Sequence, residues 1–121
     1  MMRFMVLVKA SERFGPPPRA FIDAVEKVAA ESRRDGSLGE TGGLAPSAAG
    51  ARVRVAAGKV SVTDGPFTEA KEIVGGFGMV HARSREEAVD GVRALMELHR
   101  QYWPGWEGEA EVRQIMDQPP H

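Results

Sequence analysis

The densest group of ionisable side chains lies within VTDGPFTEAKEIVGGFG, residues 62–78. Asp64 begins an Asp-Gly-Pro-Phe turn, and its carboxylate could act as a general base or accept a hydrogen bond from a substrate. Glu69, Lys71 and Glu72 follow closely, and a lysine between two carboxylates can tune a pKa or hold an anionic substrate. The sequence therefore predicts Asp64 as a catalytic residue and the three residues after the turn as substrate-binding residues.

Each of these residues also has a structural explanation. An aspartate before Gly-Pro commonly bonds to backbone N–H groups two residues on, while the glycine adopts the dihedral angles that the turn needs. A run of alternating charges is commonly a solvated face, although in an extended segment Glu69 and Lys71 would share one side. For each of these residues, the sequence is compatible with both the functional and the structural explanation.

Other candidate residues lie outside this run. His81 is predicted as a second catalytic residue, because histidine titrates near neutral pH without help, although a half-buried histidine with one hydrogen bond would look the same. Ser47, in a Gly/Ala/Pro-rich loop, and Phe67, in the turn itself, are predicted to bind substrate; the loop of Ser47 could equally pack against a sheet. His99 is expected to be a structural residue at a helix end, where the helix dipole favours a cation.

Composition excludes several classes of function. The chain has 121 residues, no cysteine and a net charge of −1, so we expect one domain without disulfides or thiolate metal sites and no nucleic-acid binding. No two histidines have metal-ligand spacing, and the glycines lack a nucleotide-binding fingerprint, so neither metal nor cofactor is predicted. The apolar run Phe4 to Val8 is too short for a signal peptide or a membrane span, and we expect a cytoplasmic protein.

Hydrophobic periodicity predicts an α+β fold. In the first half, the predicted elements are a strand over 3–10, a helix that can begin at Pro18 and has helical apolar spacing over 19–34, and a hairpin over 51–63. In the second half they are a strand over 73–83, a helix capped by Ser84 and a strand over 108–116. Residues 38–50 are predicted to be a connection with one short extended piece near Leu44. In the hairpin, the valines 53, 55, 60 and 62 share one face, and the polar residues share the other, wet face.

Two amphipathic helices can cover only one face of this sheet, yet the first strand and the strand over 73–83 are apolar on both faces. We therefore predict a homodimer formed through the second sheet face. The alternative is a monomer in which the loop over 38–50 folds across that face.

Five stretches together resemble the DGPF branch of the YCII-related family: MRFMVLVKASE, GLAPSAAGARVR, VTDGPFTEAKEIVGGF, SREEAV and EAEVRQI. The resemblance covers nearly the whole chain. It implies one domain over 1–117, followed by a polar tail over 118–121. It also implies a ferredoxin-like βαββαβ sandwich with an extra hairpin that pairs into a dimeric α+β barrel.

The resemblance is less specific about function. Some relatives are small-molecule enzymes with a proposed His–Asp pair, but their histidine lies near the start of the first helix, where this chain reads Pro18 to Phe21 without one. Members often occur near genes for extracytoplasmic-function sigma factors. The expected function is therefore a dimer that binds or transforms a small molecule near the DGPF motif; the alternative is a non-catalytic module that binds a protein such as a sigma factor. A ligand sensor without turnover would look the same in sequence.

Overall fold

The computed structural model describes residues 1–117, and the predicted tail over 118–121 lies outside the described residues. The helices and strands are β1 (Met2–Ala10), α1 (Arg19–Arg34), β2 (Leu38–Gly43), β3 (Ala51–Ala56), β4 (Lys59–Asp64), β5 (Ile73–Ala82), α2 (Arg85–Tyr102) and β6 (Gly108–Gln114). Short 3-10 turns occupy Glu12–Phe14 and Ser47–Ala49. This is the α+β class that the sequence predicted.

The main sheet has four antiparallel strands in the order β2-β5-β1-β6. This order, with two helices on one side, is compatible with a ferredoxin-like fold. Residues on the even-numbered side of β1 and β5, such as Phe4, Val6 and Ala82, are at most 3% exposed. Phe4 and Ala82 pack with Ala88 of α2, so the core lies between this side of the sheet and the helices.

Local sequence signals set the helix ends. The Ser84 hydroxyl accepts a hydrogen bond from the backbone N–H of Glu87 at 3.1 Å, which confirms Ser84 as the residue that caps α2. Pro18 directly precedes α1, one position before the place predicted for it. Proline fits both positions, because its missing N–H would have no helical partner in either. After α1, Gly36 adopts φ +83, the left-handed conformation typical of a residue that ends a helix.

The prediction for residues 38–50 was wrong in its first half. Leu38–Gly43 forms the edge strand β2, which pairs with β5 from Leu38 opposite Val80 to Gly43 opposite Gly76. The sequence LGETGG has few side chains that favour a strand. Its extended conformation therefore depends on the backbone hydrogen bonds that it makes with β5. This segment belongs to the sheet and does not fold across the sheet face.

The β3–β4 hairpin forms as predicted, with Val53 opposite Val62 and Val55 opposite Val60. The expectation of a single wet face was wrong, because these valines are 66–73% exposed. The hairpin forms a separate two-stranded sheet, and all of its residues are exposed.

The side of the main sheet away from the helices carries an apolar patch on β1 and β5, and the β6 side chains beside it on that side are the charged Glu109, Glu111 and Arg113. Met5 and Leu7 of β1 lie beside Met79 and Phe77 of β5, and all four are only half-buried. We call this surface the uncovered face, since both helices pack on the other side.

Candidate functional site

The ends of all four strands of the main sheet meet at one side of the molecule. Ala10, at the end of β1, lies opposite both Ile73 and Gly108, where β5 and β6 begin. The end of β2 lies beside the start of β5 as well. We call the loops that gather here the loop end; they are residues 11–18, 44–50, 65–72 and 103–107.

Three segments of the loop end are joined by hydrogen bonds to Ser47. The Ser47 hydroxyl donates to the carboxylate of Glu12 at 2.5 Å, and the Ser47 backbone N–H donates to the same carboxylate at 2.7 Å. The hydroxyl in turn accepts from the backbone N–H of Phe67 at 3.0 Å. We call this set the Glu12–Ser47–Phe67 bridge. Ser47 is 4% exposed and its hydroxyl bonds to both neighbouring segments, which is a structural role; its predicted part in substrate binding stays a prediction.

The bridge lowers the pKa of Glu12. The Ser47 hydroxyl is the largest cause and the Ser47 backbone N–H the second, because both hydrogen bonds favour the charged carboxylate. Glu12 is therefore held ionised at neutral pH as a structural acceptor.

Gly65 lets the DGPF turn approach Ser47 closely. Its backbone N–H donates to the carbonyl of Gly50 at 2.9 Å. A Cβ atom at Gly65 would lie 1.7 Å from the carbonyl oxygen of Ser47, far closer than atoms can approach. The glycine is thus needed for packing between the two loops, which are separated by the whole hairpin in sequence.

An open cleft of about 340 Å³ lies at the loop end. Its walls are formed by Ser11, Arg13, Phe14, Lys71, Glu72, Glu107, Gly108 and Glu109. Among residues 1–117, Arg13 and Lys71 have no carboxylate partner within ion-pair distance. Glu109, by contrast, pairs with Lys9 at 3.1 Å. The cleft lining therefore carries two cations without ion-pair partners among the described residues, beside the carboxylates of Glu72, Glu107 and Glu109.

The predicted substrate-binding residues after the turn separate into two groups. Lys71 and Glu72 line the cleft. Residues 68–72 form a turn and not an extended segment, and Glu69 pairs with Arg52 of β3. A hydrogen bond from its own backbone N–H, followed by the bond from Arg52, lowers the pKa of Glu69. The Arg52 guanidinium also lies 4.0 Å from the centre of the Phe67 ring, so Phe67 and Glu69 anchor the base of the hairpin.

The two predicted catalytic residues lie in different sheets, Asp64 in the hairpin and His81 in the main sheet. Asp64 ends β4, is exposed, and its carboxylate makes no hydrogen bond or ion pair within residues 1–117. His81 lies near the far end of β5, opposite Arg3. At about 3.3 Å per residue, Ile73 and His81 are about 26 Å apart. Within one subunit, the structure does not bring His81 to the loop end.

Sequence reasoning missed Glu12 and Arg13 as residues of the loop end. Trp103 and Trp106, which the sequence suggests as aromatic residues that cap a core or fill an interface, form a cluster of rings with Phe21 and His99. His99 is 5% exposed, and its ring centre lies 4.4 Å from that of Phe21 and 4.3 Å from that of Trp106. Burial lowers the pKa of His99 and outweighs the opposing effect of the Leu95 carbonyl, which lies 3.0 Å from Nδ1. His99 is thus a neutral part of the packing.

Among residues 1–117, no group of three or more histidine, aspartate or glutamate side chains could hold a metal ion. Neither described helix combines the length and apolarity needed to cross a membrane.

The fold and loop end define an α+β protein with a polar cleft built from loops at one end of an antiparallel sheet. The family model of the YCII-related domain matches residues 2–99, and the chain belongs to this family. The chain is also similar to an uncharacterized protein of Rhizobium meliloti (strain 1021), with 43% identity over 60 residues. That match covers 50% of this chain and 48% of the relative, so it spans about half of the relative's length.

Proposed function

We propose that the protein is a small-molecule-binding homodimer of the DGPF branch, and that its ligand is a small carboxylic acid held in the loop-end cleft. The observation that carries the proposal is the pair of cations Arg13 and Lys71, which line the same cleft without ion-pair partners among the described residues. Arginine suits a carboxylate especially well, because its planar donors match the two oxygens.

The other walls fit a small polar ligand with an apolar part. Phe14 offers a ring, and Glu72 and Glu107 offer carboxylates that could accept hydrogen bonds from a hydroxyl or amine of the ligand. The Glu12–Ser47–Phe67 bridge supports this assignment, since Glu12 lies next to Arg13 and fixes that wall of the cleft. A cleft with fixed walls loses less conformational entropy when it binds.

If the ligand is also transformed, Asp64 is the proposed general base. Its exposed carboxylate has no protein partner among residues 1–117 and lies at the end of β4, outside the cleft lining, so it would act on a part of the ligand that extends beyond the cleft. Asp64→Asn should then abolish turnover without lowering the melting temperature. Unchanged turnover would remove Asp64 from the mechanism.

The homodimer is proposed to form through the uncovered face and to build a dimeric α+β barrel. Met5, Leu7, Phe77 and Met79 support this, because a patch of neighbouring apolar side chains that the helices leave open commonly marks an interface. Light scattering at micromolar concentration should give twice the chain's 13.1 kDa. A single-chain mass would contradict the dimer.

Ligand binding is tested by calorimetry with a panel of small mono- and dicarboxylates and their uncharged amides at pH 7. We expect the acids to bind and the amides not to bind. Lys71→Met and Arg13→Met should each weaken binding at least tenfold, whereas Lys27→Met and Arg34→Met on exposed positions of α1 should not. Equal binding of acids and amides, or equal effects of both variant pairs, would contradict the proposed ligand class.

A further inference from the structure

The β3–β4 hairpin carries a second apolar surface, separate from the main sheet. Its four valines form one face of the two-stranded sheet; we call this face the valine stripe, consisting of Val53, Val55, Val60 and Val62, 66–73% exposed. A two-stranded hairpin alone is at best marginally stable in water, and it needs a further apolar surface to pack against.

The stripe points away from the rest of its own chain. Arg52 lies on the opposite face of the hairpin, because side chains alternate along a strand. Arg52 contacts Phe67 and Glu69 of the loop end, so the polar face is the one turned towards the chain's own residues. Within residues 1–117, no other part of the chain covers the valines.

We infer that the valine stripe docks on the uncovered face of a second copy of this chain. The inference rests on the proposed homodimer and adds the element that completes its interface. Both surfaces carry neighbouring apolar side chains that the helices of residues 1–117 leave uncovered, so a twofold arrangement in which each subunit gives its hairpin and receives its partner's satisfies both.

The areas favour a second copy as the occupant. Strands rise about 3.4 Å per residue and lie about 4.8 Å apart, so the four strands of the main sheet offer a face of about 500 Å² and the hairpin adds about 200 Å². A stable interface buries about 800 Å² on each partner. Flat outline areas are smaller than accessible areas, and on the outline scale the hairpin enlarges the surface offered to a second copy by about two fifths. Two packed sheets are also rotated relative to each other, so part of each sheet face extends beyond its partner and is open to a hairpin.

Docking of the hairpin would connect the dimer to the candidate site. Asp64 is the last residue of β4, and Arg52 of β3 contacts Glu69, so the base of the hairpin belongs to the loop end. A partner that holds the hairpin would fix the position of these groups.

Cysteine cross-linking tests the inference directly, because the natural chain contains no cysteine. A Val60→Cys chain is co-expressed with a differently tagged chain that carries Leu7→Cys, Met79→Cys or Arg113→Cys, and the pair is treated with a bis-maleimide that spans about 10 Å. We expect a hetero-dimeric product with at least one of the three sheet-face positions, in at least fivefold higher yield than with Ser61→Cys on the polar face of the hairpin.

A second measurement uses the double variant Val55→Thr/Val60→Thr, which keeps the β-branched shape and adds hydroxyl groups. Its dimer dissociation constant, measured by sedimentation, should rise at least tenfold over wild type. The matched control Ser61→Ala/Thr63→Ala alters the polar face of the same strand pair and should leave the dissociation constant within twofold.

Each failure has a distinct meaning. A wild-type monomer at micromolar concentration would overturn both the dimer and the hairpin docking. Three results would overturn the hairpin docking while leaving the dimer in place. They are a wild-type dimer that gives no sheet-face cross-link, cross-links only between two Val60→Cys hairpins, and an unchanged dissociation constant in the threonine variant.

Discussion

Replacing Ser47 by alanine tests whether the Glu12–Ser47–Phe67 bridge holds the loop end together. The change removes the hydroxyl that donates to Glu12 and accepts from the backbone N–H of Phe67. The Phe67 N–H then loses its partner in a part-buried position, and an unsatisfied polar group of this kind costs about 1–3 kcal/mol. We expect a loss of about 2 kcal/mol in the free energy of unfolding, or roughly 6–10 °C in melting temperature for a domain of this size.

The assay is urea and thermal unfolding followed by the fluorescence of Trp103 and Trp106, at one fixed protein concentration because association would shift the midpoint. The control is Ser61→Ala, an exposed serine whose side chain makes no hydrogen bond within residues 1–117, which should change the free energy by less than about 0.5 kcal/mol. If Ser47→Ala loses no more stability than Ser61→Ala, the hydroxyl does not hold these loops together and the reasoning is refuted.

Two further predictions concern packing and pH. A Cβ atom at Gly42 would lie 2.7 Å from the Phe77 ring, so Gly42→Ala should lower the free energy of unfolding by about 1–3 kcal/mol. Gly43 has open space around it, so Gly43→Ala should stay within about 0.5 kcal/mol of wild type in urea unfolding. Equal midpoints for the two variants would contradict this packing. Burial lowers the pKa of His99 below its ordinary 6.5, so the unfolded chain takes up a proton that the folded chain does not, and stability is lost as the pH falls below that value. His99→Phe should flatten the dependence of unfolding free energy on pH between 6.5 and 5.5, and an unchanged slope would show that His99 does not cause it.

Elements whose side chains carry a pattern could be predicted from the sequence. The alternation of β1 and the helical spacing of α1 follow from which side chains must be buried, and Ser84 marks the start of α2 through one local hydrogen bond. The strand β2 could not be found in this way. Its glycines present almost no side-chain pattern, and it exists because β5 offers backbone hydrogen bonds to its edge.

The candidate site shows the same limit. Lys71 and Glu72 could be found because they follow a recognisable turn, and the structure places both in the cleft. Glu12 and Arg13 could not, since the bond between Glu12 and Ser47 joins irregular segments that are 35 residues apart and have no periodicity. The valines of the hairpin were recognised as one face, but their exposure depends on which surfaces lie nearby, and a pattern within one strand pair does not contain that information.

The three charged residues that follow the DGPF turn, Glu69, Lys71 and Glu72, have different surroundings. Glu69 binds Arg52 and thereby the hairpin, whereas Lys71 and Glu72 face the cleft, and all three belong to the single loop over 65–72. This loop is held from below by Ser47. A ligand at Lys71 and a partner subunit on the hairpin would therefore act on the same segment of backbone. Binding linkage is reciprocal, so if the ligand tightens the dimer by some factor, dimer formation must tighten ligand binding by the same factor. Equal ligand affinity in the wild type and in the Val55→Thr/Val60→Thr variant, at a concentration where only the wild type is dimeric, would show that the loop transmits nothing between the two surfaces.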